Sequence, residues 1–125
     1  MTKTRMVSVV TAAVLKTLGE AGKNFRAGEE IYIGCSNIDH MRRRHLSDYL
    51  KYQDKLSVII SEPDYVGVND DGSLEYVKML SDHVKVTVRI AGDERLYIRS
   101  MYTVLSSRTE HFIKSGRLKP LTNGK

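Results

Sequence analysis

The segment VKVTVRI, residues 84–90, decides the fold because apolar and polar side chains alternate along it without a break. Three valines and an isoleucine take every second position, and Lys85, Thr87 and Arg89 lie between them. A period of two is typical of a β-strand with one face in the core and the other in solvent. The segment therefore predicts a strand in a sheet that has one apolar and one cationic face.

The segments on either side predict further strands joined by short turns. YVGV precedes the turn sequence NDDGS, LEYVKML follows it, and AGDE connects residues 84–90 to LYIRSMYTVL. Clusters of Gly, Asp and Asn between apolar segments are strong turn signals. We expect an antiparallel meander of about four strands.

The first half of the chain reads mainly as helix. Apolar residues recur at helical intervals over residues 5–19, and IYIG, residues 31–34, is a short strand candidate. Ser36 or Asn37 can cap a helix that begins near Ile38. A further helix is predicted over residues 48–61, either continuous with the first or kinked near Leu46. Its expected core contacts are Leu50, Leu56, Ile59 and Ile60.

Residues 106–119 predict a short closing helix and a basic tail. The fold class is therefore α+β, with N-terminal helices packed on one face of the sheet. The 125 residues suit a single domain, residues 1–125.

Composition narrows the function. No apolar run approaches the ~20 residues of a membrane span, and we read the basic, then apolar, start MTKTRMVSVVTAAVL as a helix rather than a secretion signal. The single cysteine, Cys35, follows an apolar run and is expected to be an inert packed thiol. These features favour a cytoplasmic protein. The net charge of +5 suits an anionic partner, although many basic proteins have none.

The segment NIDHMRRRHLSDYLKY, residues 37–52, concentrates histidine and arginine. On a helix His40 and His45 would lie about 140° apart, which disfavours a shared metal site. His45 would lie near Asp48, which could orient its ring. The simpler alternative is a packed histidine and a solvated row of arginines.

The predicted sheet adds polar groups suited to a phosphodiester. Cations neutralise phosphate, hydroxyls donate to its oxygens, and tyrosine stacks on bases. In a regular strand Arg99 and Ser100 point to opposite faces, so both can serve one site only if a bulge or strand end intervenes. An ordinary half-exposed sheet is the competing interpretation.

IDHMRRRH, SEPDYVGV, a lysine on the following strand and YIRSMYTVLSSR occur in this order. Together they resemble the phage-associated members of the barnase–EndoU–colicin–RelE superfamily of ribonucleases. The resemblance covers about residues 30–119, so the helix at residues 5–19 would be an addition. It implies helices followed by a curved, four-stranded antiparallel sheet. It also implies endonucleolytic cleavage of RNA by 2′-OH attack, without metal or other cofactor, giving a 2′,3′-cyclic phosphate.

The resemblance also implies roles for individual residues. His45 is the first choice for acid or base, and His40 is the second. Lys78 would hold phosphate. The other implied catalytic residues are Arg99, Ser100 and Tyr102, and the other implied RNA-binding residues are Arg43, Arg44, Lys85 and Arg89.

Three functions stay open on the sequence. The first is a bacterial or phage-encoded endoribonuclease, an effector or toxin of a phage or mobile element; a toxin would have an acidic inhibitor protein as partner. The second is a non-catalytic nucleic-acid-binding module. The third is a structural or adaptor protein of a phage particle. The first two have RNA or DNA as partner and predict salt-sensitive binding.

Overall fold

The computed structural model of the protein describes residues 4–121. Within them, one mixed sheet contains seven strands in the order β1-β2-β6-β5-β4-β3-β7. The pairs are antiparallel except β2 with β6. The strands are β1 (Arg5–Val9), β2 (Glu30–Ile33), β3 (Tyr65–Val68), β4 (Leu74–Met79), β5 (His83–Ile90), β6 (Leu96–Val104) and β7 (Leu118–Pro120).

The α+β class is confirmed, whereas the prediction of about four strands is wrong. The predicted meander is present as the consecutive strands β3 to β6. The sheet is wider because β2 and β1 extend it beyond β6, and β7 pairs with β3 at the other edge. Part of the predicted basic tail is therefore an edge strand.

Five α-helices connect these strands within residues 4–121. They are α1 (Ala12–Leu18), α2 (Cys35–Arg44), α3 (Leu46–Tyr52), α4 (Leu56–Ser61) and α5 (Ser106–Lys114). None of them is long and apolar enough to cross a membrane.

The helix predicted over residues 5–19 is wrong in its first part, which forms β1. The closely spaced apolar residues fit either period, and pairing of Arg5 with Ile33 and Val9 with Glu30 selects the strand. The helix starts only after Thr11, whose hydroxyl accepts the backbone N–H of Val14 at 3.2 Å. Residues 1–3, at the front of the signal-like segment, and 122–125 lie outside the described part of the chain.

The helical region before the meander is also divided more finely than predicted. Helix α2 begins at Cys35, where Asn37 accepts the backbone N–H of Gly34 at 2.8 Å. Cys35 is exposed in this first turn, so the expected packed thiol is wrong. The predicted helix 48–61 is interrupted at Gln53–Lys55, and its predicted core residue Leu50 is 57% exposed.

The main core lies against one face of the sheet. Val84, Val86 and Val88 of β5 are fully buried there, and Ile59 and Ile60 of α4 belong to the same cluster. Helix α5 lies against the opposite face, where Thr109 contacts the ring of His83 at 3.1 Å. The closing helix α5 therefore covers part of the face opposite the main core.

Candidate active site

A β-bulge at Arg99 determines which side chains of β6 share a face. Thr87 of β5 pairs with Ser100, and the next residue, Val88, pairs with Ile98, so Arg99 is the extra residue. Ile98 and Met101, on either side of the bulge, are both fully buried. The bulge therefore turns both Arg99 and Ser100 away from the core.

This observation corrects the regular alternation assumed for residues 96–104. Regular alternation placed Ser100 with Ile98 and Arg99 with Met101. In the structure the hydroxyl of Ser100 is 2.5 Å from that of Thr87, and the Arg99 guanidinium pairs with Asp71 at 3.0 Å. The bulge needed for both residues to serve one site is present. We call the face that carries Glu75, Lys85, Thr87, Arg89, Ser100 and Tyr102 the outer face.

A buried carboxylate organises two cations on the outer face. Glu75 is fully buried, and its Oε1 lies 2.6 Å from Lys85 Nζ and 2.6 Å from an Arg117 nitrogen. The Nε–H of Arg117 donates to Oε2 at 3.0 Å, which makes the arginine contact bidentate. We call these three residues the Glu75 cluster. The hydrogen bonds to Glu75 raise the pKa of Arg117 above its ordinary value.

The Glu75 cluster carries one more positive charge than negative. Lys85 and Arg117 contribute two cations, and Glu75 contributes one carboxylate. Their side chains are 10%, 24% and 1% exposed, so water screens this charge weakly. The excess charge is suited to a phosphate that approaches the outer face.

His45 contacts the outer face through the ring of Tyr102. It lies between α2 and α3 with backbone angles φ −143° and ψ 54°, so the two helices are separate there. Its ring stacks on Tyr102, with centroids 5.0 Å apart and planes inclined by 24°. Lys85 Nζ lies 6.0 Å from the same tyrosine ring. The break between the helices thus places an imidazole against Tyr102, whose ring Lys85 of the Glu75 cluster also approaches.

Asp48 does not act on His45 in the way suggested by helical spacing. Its carboxylate accepts the backbone N–H of Thr103 at 3.0 Å and contacts the Thr103 hydroxyl. This contact ties α3 to β6 beyond the short stretch where β2 pairs with that strand. Asp48 therefore anchors the helical layer to the strand that carries Tyr102.

The structure does not bring all predicted site residues to this cluster. Lys78 shares the side of β4 that carries Leu74 and Tyr76, and its Nζ donates to the carbonyl of Glu62 at 2.7 Å. His40 is half-buried on α2, and among residues 4–121 it has no hydrogen bond, ion pair or ring contact.

The predicted arginines of α2 also lie apart from the Glu75 cluster. Arg43 and Arg44 are exposed, and Arg43 Nε contacts the carbonyl oxygen of Asp39 at 3.4 Å. They form a separate basic surface on the helix.

Two residues of the Glu75 cluster, Glu75 and Arg117, were not predicted as site residues. Glu75 left a weak signal, since a charged residue in the middle of a buried strand requires a partner. Arg117 is 42 residues from Glu75 and left no local signal. Phe112 covers both cations, with its ring 4.3 Å from the Arg117 guanidinium and 5.5 Å from Lys85 Nζ.

A small pocket of about 260 Å³ opens beside these groups. Lys85, Tyr102, Arg108, Phe112 and Arg117 contribute to its walls. Among residues 4–121, no three His, Cys, Asp or Glu side chains are grouped so that they could hold a metal ion. The pocket therefore combines cationic groups with aromatic rings. His45 does not line it but stacks on Tyr102, which does.

The comparisons with known proteins agree with the resemblance seen in the sequence. The model of a family described as phage-Barnase-EndoU-ColicinE5/D-RelE like nuclease3 matches residues 5–111. No curated protein and no solved structure matches the chain. The match includes β1, α2, the meander and most of α5, and it ends before Phe112 and Arg117. Because the match spans most of the 125 residues, the chain belongs to this family of phage nucleases of the barnase–EndoU–colicin–RelE type.

Proposed function

We propose that the protein is an endoribonuclease that cleaves RNA by attack of a 2′-OH on the adjacent phosphorus, without a metal ion. The observation that carries the proposal is the stacking of His45 on Tyr102 beside Lys85. An imidazole can accept or donate a proton, and the neighbouring cations can neutralise a phosphate.

The proposed reaction needs no external nucleophile. The 2′-oxygen forms a bond to phosphorus while the bond from phosphorus to the 5′-oxygen breaks. A base takes the proton of the 2′-OH, and an acid protonates the leaving 5′-oxygen. The products are a 2′,3′-cyclic phosphate and a free 5′-OH.

His45 is the proposed acid or base, and the ring of Tyr102 holds it in position. Lys85 and Arg117 stabilise the additional negative charge on the phosphorane-like transition state. Ser100 and Thr87 supply hydroxyls on the same face, and the exposed Arg99, once released from Asp71, contacts the RNA phosphate next to the cleaved one.

Glu75 is proposed as a positioning residue rather than the base. Both of its oxygens already accept charge-assisted hydrogen bonds, and the side chain is fully buried. A carboxylate held in this way is a poor acceptor for a substrate proton. Its role is to fix Lys85 and Arg117 on the outer face.

His40, Lys78 and the arginines of α2 are proposed RNA contacts outside this central group. If the enzyme acts as a toxin, an acidic protein that covers the outer face would inhibit it. The non-catalytic binding module is the second candidate, since the Glu75 cluster could bind phosphate even without proton transfer.

The first experiment compares RNA with DNA of the same sequence, both in excess EDTA. We expect RNA to be cut and DNA to stay intact, with products that carry a 2′,3′-cyclic phosphate. Replacing one ribose by 2′-deoxyribose at the cut position should abolish cutting there. Cleavage that appears only when magnesium is added would contradict the proposed mechanism.

The decisive variant is His45→Ala. We expect its cleavage rate to fall about a hundred- to ten-thousandfold, the usual contribution of one proton transfer. His111→Ala is the matched control, since His111 is exposed on α5. RNA affinity measured by fluorescence anisotropy should change little in either variant. Undiminished cleavage by His45→Ala would exclude His45 as the acid or base.

A further inference from the structure

A second, larger cavity opens near the start of β6, whereas Tyr102 lies near the end of that strand. Its volume is about 760 Å³, within the range of ligand-binding clefts. One wall is the first turn of α2, and the other is formed by Arg89, Asp93, Tyr97 and Arg99 of the β5–β6 hairpin. We call this cavity the hairpin groove.

The hairpin groove is joined to the candidate active site by neighbouring residues of one strand. Arg99 lines the groove, and the next residue, Ser100, contacts Thr87 on the outer face. Tyr97 and Tyr102 pair with Arg89 and Lys85, which are four positions apart on β5, or about 13 Å at the usual rise of a strand. A strand of RNA at the active site could therefore continue into the groove, where a different nucleotide would lie.

Tyr97 is held in a fixed position within the groove. Its hydroxyl donates to Asp93 Oδ2 at 2.8 Å, and this contact raises the pKa of Tyr97 above its ordinary value. Its ring lies 6.1 Å from that of Tyr32, with the planes inclined by 43°. A half-buried aromatic ring that is already oriented loses little conformational freedom when a base stacks on it.

The two arginines of the groove are available to an anion. Within residues 4–121, Arg89 is exposed and has no carboxylate partner. Arg99 pairs with Asp71, but their side chains are 49% and 39% exposed. Exposed ion pairs contribute little to stability, so a phosphate can replace Asp71 at low cost.

We propose that the hairpin groove is a second nucleotide subsite of the same RNA-binding surface. A base that flanks the cleaved position stacks on Tyr97, and its phosphate binds Arg89 and Arg99. The assignment of this strand to a cleaved RNA rests on the proposed function, whereas binding in the groove can be measured without cleavage.

The test uses 2′-O-methyl oligoribonucleotides, which cannot undergo 2′-OH attack, with 2-aminopurine at successive positions. In the wild-type protein, stacking should change the 2-aminopurine fluorescence at one position of the oligonucleotide. Tyr97→Leu should abolish that change and weaken binding roughly tenfold, within the range of one lost base–aromatic stack. Tyr97→Phe keeps the ring without the hydroxyl, so it should retain the signal.

Two further variants separate the subsite from general effects. Tyr65→Leu, a tyrosine on β3 outside the groove, should retain both the signal and the affinity. His45→Ala should also retain the fluorescence change, which would support the subsite even if no RNA were cleaved. Equal affinity and equal fluorescence for wild type and Tyr97→Leu would overturn the proposal, while cleavage by the wild type would still support the nuclease. With that outcome, the groove would be assigned to a ligand other than RNA.

Discussion

At the residue scale, two neighbouring buried polar groups differ in whether they have hydrogen-bonding partners. Glu75 is buried and has two cationic partners, whereas the hydroxyl of Tyr76, the next residue, is buried and has no hydrogen-bond partner among the described residues. Burial alone raises the pKa of Tyr76 strongly. A buried hydroxyl without a partner lowers the stability of the folded state.

Tyr76→Phe should therefore raise the free energy of unfolding, by about 1 kcal/mol. Tyr52→Phe is the control, because it removes a hydroxyl that does have partners. The Tyr52 hydroxyl donates to Asp82 Oδ2 at 2.5 Å and accepts the Asp82 backbone N–H at 3.1 Å. This second substitution should lower the free energy of unfolding by about 1–2 kcal/mol. Urea denaturation measures both, and the same sign for both would contradict this account.

Residue type alone does not tell which side chains come together at the candidate active site. His45 and Tyr102 were singled out from their chemistry, and the structure brings their rings into contact. Lys78 has the same chemistry as Lys85, but Lys78 faces the other side of the sheet at its strand end. Residue type indicates what a side chain can do, whereas its place on the strand decides where it does so.

At the element scale, β7 matters because it delivers Arg117 to Glu75. The residue after Arg117, Leu118, pairs with Gly67 of β3. A Cβ atom at Gly67 would overlap the carbonyl oxygen of Arg117, so only glycine allows this close approach. The position of Arg117 in the Glu75 cluster thus depends on the absence of a side chain at Gly67.

Gly67→Ala should displace β7 and lower the free energy of unfolding by about 1–3 kcal/mol, the usual cost of overpacking. It should also reduce RNA cleavage, since Arg117 moves with the backbone. Gly92→Ala is the stability control, because a Cβ atom there would meet nothing within 4 Å. Thermal unfolding and cleavage assays test both effects, and unchanged stability of Gly67→Ala would contradict the close approach of β7 to β3.

At the scale of the whole molecule, the basic charge is distributed between the outer face and other surfaces. Lys85, Arg117, Arg89 and Arg99 are associated with the outer face or the hairpin groove, and Arg43 and Arg44 lie on α2. The net charge of +5 therefore has local contributors that an RNA strand could contact along the sheet.

RNA affinity should consequently fall as salt increases. Each cation that neutralises a phosphate of a single strand contributes about 0.7 to the slope of log Kd against log salt. Arg89→Gln should lower this slope by about that amount. Lys16→Gln removes an exposed lysine of α1 and should leave the slope unchanged. A slope that is the same in wild type and Arg89→Gln would exclude a phosphate contact by Arg89.

The sequence by itself determined the central meander and the family. Alternation along residues 84–90 and the turn residues around them are local signals, because neighbouring side chains on a strand must face opposite sides. The order of short motifs likewise sufficed for the resemblance that the family match confirms.

Only the tertiary structure decided the strand at residues 5–9, the edge strand β7, the bulge at Arg99 and the Glu75 cluster. Each of these depends on partners far apart in the chain, such as Glu75 and Arg117. A backbone segment or a buried charge is satisfied by whichever partner the folded chain brings near it, and no periodicity within one segment specifies that partner.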